Sequence, residues 1–354
     1  MKGSDSVFAG LDIGGANVKF ATCSGLLNEV EFPIWQNKEG LGAILQQFAD
    51  QLPPEACVGI TMTAELADCF QTKLEGVRFV VESAVKAFAN KRALVFYQTD
   101  GRLCDADYAI GNWKSTAASN WHATAWLAFS KFANTEAEHR SGFVFDIGST
   151  TTDIIPVRDG KPVVENQMDL HRLSNGQLFY AGVGRTPICS LLNSVKFDFG
   201  SVSIARELFA TTRDACIWLG DVQENLECNA TADGRPASRL CAGYRLGRMV
   251  CADRDELYNE CLNQVASQAK HALVQQLAEN LKKVIANNPG LPLVFKTFGG
   301  GAWLVPEVVE EAALGCNVSI FAFSDDETVN QTAPAFAVAQ RCREHFLERE
   351  TTDG

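Results

Sequence analysis

Paired cysteines are the first thing this chain of 354 residues lacks. Its 12 cysteines are scattered from Cys23 to Cys342 without a single C-x-x-C pair. The ligand spacing of a structural zinc site is therefore missing. Most follow an apolar neighbour, as at Cys57, Cys189 and Cys251, and read as reduced, small buried hydrophobes. Histidine is scarce as well: His122, His139, His171, His271 and His345 show no metal spacing. No stretch approaches the roughly 18 uninterrupted apolar residues of a membrane helix, and the opening MKGSDSVFAGLDIGG carries no apolar leader. A cytoplasmic protein is expected. Positive charge is in deficit, with 31 Lys and Arg against 43 Asp and Glu, a formal net charge of −12. Such a field repels nucleic acid and anionic membranes, so small-molecule partners are expected. The pattern is compatible with a homo-oligomer and does not fix one.

What is present begins with apolar residues, at 46% of the chain. That supplies the cores of two ordinary domains. The organising stretch is FVFDIGSTTTDIIPV, residues 143–157. It reads as a strand over Phe143–Ile147, a tight turn at Gly148 and a second strand over Thr151–Val157. A hairpin needs a turn residue at its tip, but not an acid followed by Gly and four hydroxyls. Backbone N–H groups and hydroxyls at a Gly turn cradle an anion, and the neighbouring acid can hold a divalent cation. Phosphate plus Mg²⁺ is the expectation.

DIGGANVK (Asp12–Lys19) repeats the acid, Ile and Gly of DIGSTTTD (Asp146–Asp153) at the same offsets, each between two apolar strands. The pattern predicts an internal duplication. A third turn, Gly299–Gly301, stands between the strand Leu293–Thr297 and a helix from about Trp303, a further candidate anion or nucleotide turn. It is not the dinucleotide fingerprint, since G-x-G-x-x-G is missing. Other expected elements are helices over 41–52, 65–90, 115–132, 255–288 and 331–348, and strands over 57–62, 94–97 and 317–323. Residues 99–113 read as a loop. From His171 to Arg254 there are nine arginines and one lysine, a bias that suits bidentate binding of phosphate or carboxylate.

Two acid–Gly hairpins followed by strand–GGG–helix resemble the sugar kinase, actin and Hsp70 superfamily. That resemblance implies an α/β fold of two related RNase H-like domains flanking a central cleft. The expected division is residues 1–138 and 139–329, the second carrying the Arg-rich insertion around 172–254, with the helix of 330–354 packed back on the first. Within the superfamily, GLDIGGANVKFA, TMTAELADCF, NWHATA, FDIGSTTTDIIPV, GVGRTP, FATTRDACIWLG and GRMVCAD resemble the hydantoinase/oxoprolinase-related branch tied to tetrahydromethanopterin-linked one-carbon transfer. More closely, they resemble the aminomethylfuran-type synthases of methanofuran biosynthesis.

The resemblance implies a transferase that joins a furanylmethyl diphosphate to the phenol of γ-glutamyltyramine and releases pyrophosphate. Mg²⁺ is then expected on Asp12, Asp146 and Asp153. Phosphate oxygens would lie on Gly14, Gly15, Asn17, Gly148, Ser149, Thr150, Thr151 and the turn Gly299, Gly300 and Gly301. Lys19 and Arg185 are candidate countercharges, Glu65 and Asp68 candidate bases three residues apart on one helical face. Arg213, Asp214 and Arg248 are candidates for the acceptor. ATP is a possible but disfavoured ligand. The alternative is an ATP-dependent kinase or hydantoinase-like hydrolase of the same fold.

Overall fold

The computed structural model describes residues 7–130, 140–315, 317–324 and 326–352. Two sheets organise it. The first comprises β1 (Phe8–Ile13), β2 (Asn17–Thr22), β3 (Leu27–Glu31), β4 (Cys57–Met62), β5 (Ala93–Tyr97) and β6 (Leu103–Cys104), in the order β3-β2-β1-β4-β5-β6. β1 and β2, and β2 and β3, pair antiparallel, while β1–β4 and β4–β5 are parallel. The second comprises β7 (Gly142–Ile147), β8 (Thr152–Arg158), β9 (Lys161–Pro162) and β10 (Leu178–Phe179), then β13 (Val294–Phe298) and β14 (Ser319–Ala322). Its order is β10-β8-β7-β13-β14, with β9 on β8. Between them in sequence, β11 (Ser194–Phe197) and β12 (Gly200–Ser203) make a separate hairpin.

The two orders match strand for strand, with β3, β2, β1, β4 and β5 corresponding to β10, β8, β7, β13 and β14. The expected duplicated α/β fold is thus the observed one, and the turns repeat it in detail. Gly14 N–H donates to the Asn17 carbonyl at 2.9 Å, and Gly148 N–H to the Thr151 carbonyl at 2.9 Å. At the neighbouring strand, Thr63 N–H donates to Ile13 O at 2.9 Å and Gly301 N–H to Ile147 O at 2.8 Å. The segment TAEL (63–66) after β4 therefore occupies in one half the place that GAWL (301–304) occupies in the other.

By chain contacts the molecule divides into two units: residues 1–144, 155–172 and 321–354, and residues 145–154 and 173–320. In the first, β1 and β4 are buried at every position, the continuous apolar pattern of a sheet covered on both faces. Leu11, Ile13, Val18, Phe20, Val58 and Ile60 form its core. The helix Ala333–Thr352 packs on β1 and β4. In the second, the helix Asn259–Ala286 packs on Thr212–Leu219, burying Leu262, Val265, Ala266 and Ala269 with Trp218 and Leu246.

Three local expectations differ from the structure. The helix predicted over 65–90 begins at Lys73, because Ala64–Leu66 is a single 3-10 turn and Ala67 turns extended. Thr72 caps the true start, accepting from Glu75 N–H. Residues 99–113 are not a loop but hold β6 and the short helix Ala106–Gly111, capped by Asp105. The helix predicted over 115–132 spans Asn120–Ala128. The boundary expected between residues 138 and 139 falls on positions 131–139, outside the described residues.

Candidate functional site

In the second unit, the turn Gly148–Thr151 is held from outside by the segment AGVGRT. Val183 N–H donates to Gly148 O at 3.1 Å, and Gly184 and Arg185 N–H to Ser149 O at 3.0 and 2.8 Å. Hydroxyls brace the clamp from behind: Thr152 Oγ1 donates to Ala181 O at 2.8 Å, and Thr186 Oγ1 and Thr212 Oγ1 to Gly182 O at 3.0 and 2.7 Å. A Cβ on Gly182 would lie 2.2 Å from Gly148 O, and one on Gly184 would lie 2.7 Å from Ser149 Cβ. Only glycine lets the two loops approach this closely. Ser149, Thr150 and Thr151 stay half-buried at the tip. Thr152 is fully buried and serves the clamp.

The third turn completes this cluster. A Cβ on Gly299 would lie 2.5 Å from Asp146 Oδ1, and one on Gly301 2.5 Å from Ile147 Cγ2. Gly299, with φ of +79°, adopts the left-handed backbone that glycine permits. Gly148–Thr151 and Gly299–Gly301 therefore meet at Asp146. Equal turn closure sets equal register: as Asp12 stands opposite Lys19 on β2, Asp146 stands opposite Asp153 on β8. Mg²⁺ takes one or two carboxylates together with phosphate oxygens, and two carboxylates beside a glycine turn are donors of that kind. Among the described residues no group of three or more His, Cys, Asp or Glu side chains is placed to hold a metal by itself.

In the first unit, the turn Gly14–Asn17 is clamped in the same manner, with Phe32 N–H donating to Ala16 O at 2.7 Å and Ile34 N–H to Gly15 O at 3.1 Å. Asn17 Nδ2 donates to Glu29. Lys19 lies between Asp12 on β1 and Glu29 on β3, a cation flanked by two acids. Glu65 and Asp68 part company. With no helix at that point, Asp68 is exposed while Glu65 is 1% exposed. Burial pushes the Glu65 carboxyl up to about 7, against the pull of backbone N–H groups at Glu65 and Ala118 and of Lys73. Its Oε2 has no hydrogen-bond partner. Around it run Lys73 and Asp169 at 2.6 Å, Asp169 and Arg172 at 3.3 Å, and Arg172 over the Trp121 ring at 4.4 Å. Lys73, Asp169 and Trp121 were not singled out from the sequence, and Arg172 only as one of nine arginines, because nothing local links Lys73 to a residue nearly a hundred positions away.

The acceptor candidates are placed differently from one another. Asp214 is buried, accepts from Thr211 N–H at 2.9 Å in a capping box and from Arg245 Nε at 2.8 Å. Its carboxylate is thus occupied in holding the helix Thr212–Leu219 to Arg239–Arg248. Arg213 donates to Cys228 Sγ at 3.1 Å, with its backbone N–H on Gly184 O at 3.3 Å. Arg248 is half-exposed and 3.4 Å from Asp233. Arg185 is exposed on the clamp itself. Of the four, Arg213 and Arg185 lie with the clamped turn Gly148–Thr151.

Duplicated α/β units, each with an acid–Gly turn clamped by a neighbouring segment, make up the fold. The hydantoinase/oxoprolinase family matches residues 56–345. A protein of Methanocaldococcus jannaschii, "(4-{4-[2-(gamma-L-glutamylamino)ethyl]phenoxymethyl}furan-2-yl)methanamine synthase", is 35% identical over 94% of this chain and 96% of its own length. One of the same name from Methanococcus vannielii is 32% identical over 55% of this chain and 87% of its own. This chain belongs to the hydantoinase/oxoprolinase family, and within it to the family of these synthases. Among solved structures, AMPPNP-bound MamK superposes with a TM-score of 0.47 at 11% identity, covering 96% of this chain and all of that one. No described helix is long and apolar enough to cross a membrane.

Proposed function

We propose that this protein joins a furanylmethyl diphosphate to the phenol of γ-glutamyltyramine, forming an aryl ether and releasing pyrophosphate, within methanofuran biosynthesis or that of a related one-carbon carrier. One observation carries the reading. The relative that shares 35% of residues along nearly the whole chain is named for a phenoxymethyl-furan with a γ-glutamylaminoethyl arm, and its phenoxymethyl link is the ether such a transfer makes.

The residues suit the chemistry. The bond between the furan methylene carbon and the diphosphate oxygen breaks, with both electrons leaving on pyrophosphate. Furan delocalises the positive charge left on the methylene, and the phenol oxygen then bonds to that carbon. Charge accumulates on the leaving group, so preorganised donors there contribute most. Ser149, Thr150 and Thr151 hydroxyls and the backbone N–H groups of the Gly148 turn are assigned to its oxygens, with Arg185 as countercharge. Asp146 and Asp153 would hold Mg²⁺, which neutralises diphosphate charge when bound. The first hairpin, Asp12 and Lys19 with Gly14, Gly15 and Asn17, offers a second anion turn of the same design. The phenol, of ordinary pKa about 10, loses its proton as the ether forms; within the first unit, the buried Glu65, raised to about 7, is the carboxyl we assign as the candidate base.

Mixing the protein with furanylmethyl diphosphate, γ-glutamyltyramine and Mg²⁺ is expected to yield the ether and equimolar pyrophosphate by mass spectrometry. Asp146→Asn is expected to abolish both. ATP turnover with no ether would replace this reading with an ATP-dependent enzyme of the same fold.

A further inference from the structure

Trp303 is fixed beyond the needs of packing. Two residues past the turn Gly299–Gly301, its Nε1 donates to Gly300 O at 3.0 Å and anchors the ring edge to the turn itself. The Lys270 ammonium sits 5.0 Å from the ring centroid. That ammonium is held in turn by Asp221 at 3.1 Å and Glu307 at 2.9 Å. Three separate segments of the second unit thus brace one indole: the helix Asn259–Ala286, the loop after Thr212–Leu219, and the helix Val305–Glu311. Yet the ring is only half-buried. A tryptophan that served the core alone would sit among apolar neighbours and be covered.

The position of the ring gives the arrangement a purpose. Its turn touches Asp146 and Ile147 through Gly299 and Gly301, and Asp146 heads the turn Gly148–Thr151. The indole therefore lies one turn away from the anion cradle in the same unit. A ring joined to a diphosphate by one methylene extends only a short way from its phosphates. Flat rings stack on indole in offset or edge-on geometry, and a cation beneath one face draws on its electron density, which favours an electron-rich ring on the other.

We propose that Trp303 is the stacking platform for the ring of the diphosphate donor, so that this site selects an arylmethyl diphosphate over an alkyl diphosphate of equal charge. The proposal rests on the function assigned above and adds to it the residue that sets donor class. Arg185 and the Gly148 turn hold the diphosphate whatever it carries; Trp303 distinguishes what is attached.

Calorimetric titration of the full-length protein with Mg²⁺ tests it, using inorganic pyrophosphate, furan-2-ylmethyl diphosphate and 3-methylbutyl diphosphate as probes. The native protein is expected to bind the furan compound more tightly than the alkyl one. Trp303→Leu is expected to weaken the furan compound by about fivefold to tenfold, to the level of the alkyl diphosphate, with pyrophosphate affinity unchanged. Trp303→Phe restores part of the preference. Lys270→Met, which keeps the indole but removes its brace, weakens the furan compound alone. If Trp303→Leu and Trp303→Phe bind the furan compound as tightly as the native protein, the platform is refuted while the diphosphate reading stands. If the native protein binds none of the three, the function assigned above falls and takes the platform with it.

Discussion

At Glu65 a single carboxyl reports its surroundings through its proton. The sequence marks it by its place just past β4, but places it on a helix with Asp68; the 3-10 turn instead drives Glu65 inward and Asp68 out. Its carboxyl is raised from an ordinary 4.5 to about 7 by burial. Between those values the native state holds a proton that the unfolded chain has released, so stability falls as pH rises from 4.5 to 7 and stays lower above. The penalty above pH 7 is on the order of 3 kcal/mol. His122, lowered to about 4 by burial, works the other way, removing stability as pH falls below 6.5. Comparing a variant with the native protein cancels that contribution. Glu65→Gln keeps the shape and deletes the proton, so its Tm is expected to exceed the native value at pH 8 and to match or fall below it at pH 4.5. Ether formation by the variant is expected to fall by at least about 100-fold, the usual contribution of a positioned base. A variant equally active at pH 8 would remove Glu65 from the reaction and leave it a buried acid.

Turns and their clamps show how far local pattern reaches. Asp–Ile–Gly at equal offsets revealed the two hairpins and hence the duplication, because turn chemistry is written in adjacent residues. The clamp was not legible as such. Gly182 and Gly184 contact a turn more than thirty positions earlier, and GVGR showed in the sequence only as a likeness and as a source of Arg185. Contact geometry now separates glycines that look alike. Gly182→Ala drives a methyl group into the Gly148 carbonyl at 2.2 Å. The expected cost is about 1–3 kcal/mol, with the clamp displaced and pyrophosphate affinity in Mg²⁺ reduced by about tenfold or more. Gly15, singled out alongside Gly14 from the sequence, has open space around its Cα; Gly15→Ala is expected to leave the urea midpoint unchanged. Equal loss of midpoint in both variants would show that backbone freedom, not close approach, governs these turns.

On the scale of the whole molecule, the helix Ala333–Thr352 lies far from β1 in sequence and packs directly on it. Long-range closure of this kind leaves no trace in local pattern beyond small residues: Gly10 and Gly59 on the strands, and the alternation APAFAVA at the start of the helix. The structure supplies the reason. A Cβ on Gly10 would lie 2.0 Å from Ala335 O and 2.5 Å from Ala339 N, and one on Gly59 would lie 2.7 Å from Val338 Cγ1. Backbone meets backbone at Gly10, so no rotamer change can relieve a larger side chain there. Ala335, Val338, Ala339 and Cys342 are each fully buried, so prising the helix off β1 and β4 uncovers a continuous apolar face. Gly10→Val is accordingly expected to cost about 3 kcal/mol or more, the upper end for overpacking, in urea unfolding. Gly42→Ala, in a helix with nothing within 4 Å of the new methyl, is expected to gain up to about 1 kcal/mol. Hydrogen exchange locates the damage: in Gly10→Val, amides of β1 and β4 should lose protection while those of β8 and β13 keep theirs. Uniform loss across all four strands would show instead that the two units unfold as one.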